Sequence, residues 1–377
     1  MATTPSLAMI PSGYKEGKLY SFLPNTDDGD FTFSRGSNAT RVNKDGLIEE
    51  VGVNVPRLDY TDSSCPSLLL EPMRTNRILY SEDFSQWIKT SGVTITSNYG
   101  VSPSGLQNST RIQLSSANEQ LYISTGVHSG NIEVASLYVK GVNGESIQFG
   151  VGNNTGQGSV ITLNGNWQRI TQESTSGSVF IIGNKDATAT EFEIYGAQLE
   201  EGSYPTSYIP TEGIIKTRLQ DECNNAGDSS TFNSEEGVLF FEGSALADDN
   251  TVDKRISISD GTNNNRVLIN IGNSISNTYT YYYAVSGSNQ INSNISVADI
   301  TVPHKLAVTW KVNEFKIYLD GILNYTDSSG SVNPAGTFTQ IQFTDGAGAS
   351  SFFGKCKDIR VYNTALTDQE LAELTTI

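Results

Sequence analysis

The amino-acid sequence predicts an all-β protein: a loop-rich N-terminal arm, two β-sandwich (jelly-roll) domains and one short C-terminal helix. Three observations carry that expectation. Short apolar runs with period-2 alternation recur roughly every 8–15 residues, separated by Gly, Asn and Asp turn signals. The clear helical signal sits at the C-terminus. With 377 residues, the chain is long enough for two or three domains that each bury a core. Its polarity comes from Ser, Thr, Asn and Gly, since charged residues make up 17% against an average of about 25%. The 17 Tyr, 15 Phe and 3 Trp exclude a disordered polar chain.

Residues 1–80 are punctuated by Gly and Pro and read as the arm. Asp45-Gly46, between Thr40–Val42 and Leu47–Val51, is a hairpin turn, and Pro56, Pro66 and Pro72 break longer elements. Such a segment makes little core alone, so it should lie on its own later domains or on another subunit. Residues 81–212 form the first sandwich. Its strands are expected at Val93–Thr96, Ser109–Leu114, Gln120–Ser124, Asn131–Lys140, Ser146–Val151, Trp167–Thr171, Ser178–Ile182 and Thr190–Leu199. Residues 213–235 are a polar, turn-rich connector. Residues 236–377 form the second sandwich. Its strands are expected at Gly237–Gly243, Arg255–Ser259, Arg266–Ile271, Thr278–Val285, Lys305–Lys311, Glu314–Leu319, Thr337–Thr344 and Ile359–Tyr362. Thr367 with Glu370 is a capping box for the last helix, whose Leu371 and Leu374 share a face.

Acidic residues outnumber basic ones 41 to 24, a net charge of −17. That surface repels phosphate backbones and anionic lipid, so neither nucleic acid nor a membrane is an expected partner. No apolar run reaches the roughly 18 residues of a membrane span. The N-terminus lacks the basic and apolar regions of a signal peptide, so synthesis in a cytoplasm without export is expected. Cys65, Cys223 and Cys356 are odd in number and far apart, and His128 and His304 stand alone. Neither a disulfide framework nor a zinc site is expected.

Three stretches of the last domain resemble the concanavalin A-like lectin/glucanase superfamily in its laminin-G-like and pentraxin-like branch: His304–Trp310, Phe315–Gly321 and Lys357–Glu370. The middle domain resembles galactose-binding-like carbohydrate-binding modules, in its opening Leu79–Trp87 and its closing Ile194–Thr211. Arg77 and Ile78 stand where that opening usually has a Leu pair. The string Phe31–Glu49, followed by Val55–Tyr60 and Leu68–Pro72, is similar to phage fibre and other virion proteins with lectin-like domains. The resemblance implies a virion structural protein, made in the host cytoplasm: a surface fibre or appendage contacting host-surface polysaccharide. It implies a homotrimer held to other virion proteins through the arm. A capsid decoration or head fibre protein with a purely structural role is the alternative, and a glycan depolymerase the second.

The chemistry-bearing residues favour binding over catalysis. The Glu-x-Asp-x-(x)-Glu strand of glucanases is missing, as are a Gly-x-Ser-x-Gly elbow and a phosphate loop, so no enzyme is expected. Sugar sites set an aromatic face against a sugar ring. Trp310 shares a strand face with Leu306 and Val308 and reads as core, and Trp87 should pack the opening segment. Trp167 follows Asn164-Gly165-Asn166 and is either core or a ligand residue at a loop edge. Tyr279–Tyr283 places tyrosines on both faces of one strand, so Tyr281 and Tyr282 are candidates for a ligand platform or a subunit contact. Asp248, Asp249, Asn250, Asp260 and Asn263–Asn265 offer oxygens to Ca²⁺ without an ordered ligand spacing, so no cofactor is expected. Arg35, Arg41, Arg57 and Arg74 stand out in the arm: they dock on acidic faces of neighbouring subunits or pair within the chain.

Overall fold

The computed structural model describes residues 3–154, 157–249, 252–272 and 275–377, and at 127–129 the backbone alone. The chain forms two compact units. The first takes Met1–Gly36, Gly52–Pro72 and Gln220–Ile377, and the second takes Ser37–Val51 and Met73–Leu219. Both are built of strands, and among the described residues the one α-helix is Asp368–Thr375. Its capping box is the one legible in the sequence: Thr367 Oγ1 accepts from Glu370 N, and the Glu370 carboxylate accepts from Thr367 N.

In the first unit one core joins an eight-stranded and a five-stranded antiparallel sheet. The larger runs Ile322–Asp327, Glu314–Leu319, His304–Lys311, Glu236–Ala245, Gly354–Tyr362, Ser67–Leu70, Leu58–Asp59, with Leu7–Met9 also on Gly354–Tyr362. The smaller runs Ser288–Ser296, Thr278–Val285, Arg266–Ile271, Lys254–Ser259, Gln340–Gln342. Ile256, Ile269 and Tyr281 of one sheet and Leu239, Trp310 and Ile359 of the other belong to the same buried cluster. Two strands have no clear sequence signal, Ser288–Ser296 and Ile322–Asp327. Both are sheet edges with mostly polar or exposed residues, as edge strands tend to be.

The second unit holds another eight-stranded sheet. Four segments expected as separate strands are two long ones, Gln120–Gly141 and Gln168–Gly183. Their pairing shifts register between Ser124/His128 and Ser129/Glu133, so irregular steps take the place of turns. Trp87 lies in this core against Phe84 and Phe180. The hairpin Ala39–Val42/Ile48–Val51 forms at the Asp45-Gly46 turn and belongs to this unit.

The first 80 residues are therefore built into both units rather than set apart as an arm. Ion pairing explains part of this. Arg35 Nη1 donates to Asp221 Oδ1 at 2.9 Å, and Arg57 binds Asp221 Oδ2 and Glu71. Both guanidinium groups and the Asp221 carboxylate are fully buried. Arg35 and Arg57 thus take the intrachain alternative, because groups enclosed by their own carboxylates cannot reach another chain. Arg41 pairs with Glu49 within the hairpin, and hydrogen bonds from Arg41 and Asn43 outweigh burial to hold the Glu49 pKa down. Arg74 lies 5.4 Å from the Tyr204 ring.

Candidate functional site

The outer face of the five-stranded sheet concentrates polar chemistry, and alternation decides which residues it carries. Ile256, Ile258, Val267, Ile269, Tyr279, Tyr281, Tyr283 and Ile341 enter the core. Their sequence neighbours face the other way. Cross-strand register aligns them in two rows. One is Gln342, Ser257, Leu268, Tyr282, Asn292, and the next is Arg255, Asn270, Thr280, Asn294.

The two arginines of this face are held by acids and amides at its margin. Arg255 pairs with Asp253 and lies 3.7 Å from Asp345. Arg266 donates to Asn263 Oδ1 and to the Asp345 carbonyl. Asn270 Nδ2 donates to Asp253 Oδ1 at 3.1 Å, and Thr280 Oγ1 donates to Asn294 Oδ1 at 2.7 Å. Burial lowers the Arg266 pKa and the charge of Arg255 adds to it, while Asp345 opposes both. Two guanidinium groups balanced by two carboxylates make the patch polar without a net charge.

Five buried polar atoms here lack a hydrogen-bond partner among the described residues: Ser257 Oγ, Asn270 Oδ1, Gln342 Nε2 and the Nε of Arg255 and of Arg266. Buried polar groups are ordinarily paired, so these are exceptions, and Ser257, Asn270 and Gln342 are each at most 4% exposed. Tyr282, half-buried, stands in the same rows. Donors, acceptors and an aromatic ring on one face are the means by which a protein reads a hydroxyl-rich ring.

Of the residues singled out from sequence, Tyr282 lies in this site. Tyr281 does not: it is 1% exposed, and its hydroxyl donates to the Thr309 carbonyl at 2.8 Å. Burial pushes its pKa well up. Trp167 belongs to the second unit, where it is half-buried on Ile48, Tyr195 and Tyr208, with Nε1 donating to the Val101 carbonyl at 3.0 Å. Trp310 is core, as expected, and its Nε1 donates to the Asn233 carbonyl. Arg255, Arg266 and Asn270 were not legible as site residues. Their signal is the alternation of Lys254–Ser259 and Arg266–Ile271, with a polar residue at every second position apart from Leu268.

Several of the oxygens weighed for Ca²⁺ are engaged by the protein, whereas Asp248 Oδ1 is buried with no hydrogen-bond partner among the described residues. Asp249 pairs with Lys254, and Asp248 Oδ2 accepts from Ser276 and Asn277. Burial acts against the charged form of Asp260, but hydrogen bonds from Asn265 and Thr262 outweigh it and lower its pKa. Asn250 lies outside the described residues. No group of three or more metal-ligating side chains occurs among the described residues.

Residues 246–372 match the family described as the concanavalin A-like lectin/glucanases superfamily, so the first unit carries a domain of lectin-like fold. No curated protein matches the chain significantly. Among solved structures, it is similar to the CBM40 of Ruminococcus gnavus IT-sialidase bound to α2,3-sialyllactose. That match has 17% identity and a TM-score of 0.34, and covers 41% of this chain and 93% of the other. It is also similar to domain 4 of AbnA, a GH43 extracellular arabinanase from Geobacillus stearothermophilus in complex with arabinotriose. Here the identity is 13% and the TM-score 0.32, over 47% of this chain and 84% of that one. A third match is the β-glucanase of Bacillus licheniformis, with 14% identity and a TM-score of 0.28, over 39% and 73%.

Proposed function

We propose that this chain is a lectin-like appendage of a phage particle, which binds host-surface glycan on the outer face of the five-stranded sheet. The observation that carries the reading is the unpaired polar set on that face, the buried Ser257, Asn270 and Gln342 beside the half-buried Tyr282, within the stretch that matches the lectin/glucanase family. The phage setting is supported by the Phe31–Glu49 string and its companions at Val55–Tyr60 and Leu68–Pro72. Binding is non-covalent. Copies on one particle, in a homotrimer, give avidity to weak single sites.

Two measurements test this. Antibody to residues 236–377 should label the surface of intact particles by immunogold, and unlabelled particles would refute the virion role. The isolated chain should bind host polysaccharide, and Tyr282→Ala should weaken that binding by roughly 10-fold, or 1.4 kcal/mol. Equal binding by the variant would remove the site. Release of reducing ends from the polysaccharide would replace binding with hydrolysis.

A further inference from the structure

The second unit holds a cavity that the sheet-face reading does not use. It measures about 450 Å³, within the range of about 300–1,000 Å³ for small-molecule sites. Its walls come from two regions distant in sequence, the hairpin and residues 208–217. Asn38 and Thr40 lie at the start of the hairpin and Glu50 on its return strand. Pro210 belongs to the closing segment, and Ile215 and Lys216 to the stretch after it.

Hydrogen bonds fix those walls to one another. Thr40 Oγ1 donates to the Tyr208 carbonyl at 2.6 Å, which pins the hairpin to the closing segment. Leu219 N donates to Ser37 Oγ at 2.9 Å, and the hydroxyls of Thr75 and Thr217 lie 2.7 Å apart across the strand pair Arg74–Asn76/Lys216–Arg218. The cavity is therefore preformed, and a ligand need not order it.

Its chemistry is divided. Asn38 Nδ2 donates to Glu50 Oε1, leaving Glu50 Oε2 and the second amide hydrogen of Asn38 to meet a ligand. Lys216 lines the same cavity, is exposed, and has no ion-pair partner among the described residues. Pro210 and Ile215 add apolar surface, Ile215 being 54% exposed. We infer that this cavity is a second glycan site, selective for a short saccharide bearing a carboxylate. The Lys216 ammonium takes the carboxylate, Glu50 and Asn38 take ring hydroxyls, and Ile215 and Pro210 cover the C–H face. A chain of net charge −17 repels long polyanions, which restricts the site to short or sparsely charged segments.

Ligand-observed NMR on the full chain tests this with methyl β-D-glucuronide, against methyl β-D-glucoside as the neutral partner. The glucuronide should bind, and both the glucoside and the Lys216→Met variant should show binding at least about 10-fold weaker. A charge-assisted hydrogen bond carries that much. Glu50→Gln should weaken both sugars. Loss of glucuronide binding in Tyr282→Ala with binding kept in Lys216→Met would place the sugar on the sheet face and overturn the inference. Thermal melts of Lys216→Met and Glu50→Gln should match the parent, since both positions are exposed. Equal binding of the two sugars, unchanged binding in Lys216→Met, or no glucuronide binding would each overturn the inference.

Discussion

The substitution Asp221→Asn should dismantle the first unit selectively. The buried Asp221 carboxylate accepts from three donors: Oδ1 from Arg35, and Oδ2 from Arg57 and from the Glu71 backbone N–H at 2.8 Å. Its side chain and those of both arginines are 0% exposed. In the parent, two guanidinium groups face two carboxylates. In the variant, a neutral amide replaces the carboxylate that both buried cations share, and the amide N–H₂ meets guanidinium donors. Removing one partner of a buried pair costs about 3–5 kcal/mol, a large part of the roughly 5–15 kcal/mol by which domains are stable. Hydrogen exchange with mass spectrometry reads it, with the core of the second unit as internal reference. Globally protected amides of Glu236–Ala245 and His304–Lys311 should exchange about 100- to 4,000-fold faster, at tenfold per 1.4 kcal/mol. Adding Arg35→Met restores charge balance, because Arg57 keeps Glu71. The double variant should be at least about 1 kcal/mol more stable than the sum of the singles predicts. Acceleration below about 5-fold, or strict additivity, would refute the network as the cause.

Glu200 gives a pH signature. Burial pushes its carboxyl pKa up, against hydrogen bonds from Thr206 and the charge of Arg169. The folded state therefore keeps a proton that the unfolded chain releases above about pH 4.3. Stability from this group is present below that value and is lost as pH rises through the raised folded pKa. In calorimetry, the Tm of the parent relative to Glu200→Gln should fall as pH rises above about 4.3, and a constant difference would refute the assignment. Tyr281→Phe loses the bond to Thr309 and should cost about 0.5–1.5 kcal/mol in urea unfolding, whereas Tyr282→Phe on the outer face should cost under about 0.5. Equal costs would mean the facing of this strand is misread. Deletion of residues 3–36 should abolish protection of Gly354–Tyr362 in hydrogen exchange, and a protected strand would show the segment to be dispensable.

What the sequence made legible was local. The strand Thr278–Val285 and the hairpin at Asp45-Gly46 follow from patterns a few residues long. So does the capping box at Thr367. Gly126, Gly130 and Gly177 carry turn chemistry within the two long strands, but pairing on either side of the register shifts outweighs it. What was not legible was pairing between distant segments. The connector read as polar and turn-rich, yet Asp221 within it satisfies two buried arginines from the first 60 residues. Four arginines in an acid-rich chain told that carboxylate partners were needed, but not which. The site face shares this limit. Arg255, Asn270 and Tyr282 become neighbours only once the register of three strands is set.

The same long-range pairing changes what an arm deletion can test. A free attachment arm could be removed, leaving two folded modules that no longer join a particle. Here, removing residues 1–80 takes Leu7–Met9, Leu58–Asp59 and Ser67–Leu70 from the larger sheet of the first unit. It also takes Phe31–Ser34, whose partner is Glu222–Asn224, together with Arg35 and Arg57 of the ion network. From the second unit it takes the hairpin that walls the cavity. Leu7, Met9, Phe31, Leu68 and Leu70 are each at most 1% exposed, so their loss uncovers core rather than surface. Loss of particle incorporation in such a deletion would report unfolding as readily as lost attachment. The separable experiment uses single substitutions at exposed positions of the same segment. Phe22, 72% exposed, is the largest apolar side chain available for it. Phe22→Ser removes an exposed apolar side chain without opening the core, so, under the proposed virion role, an incorporation defect at unchanged Tm would locate attachment there, and normal incorporation would place it elsewhere.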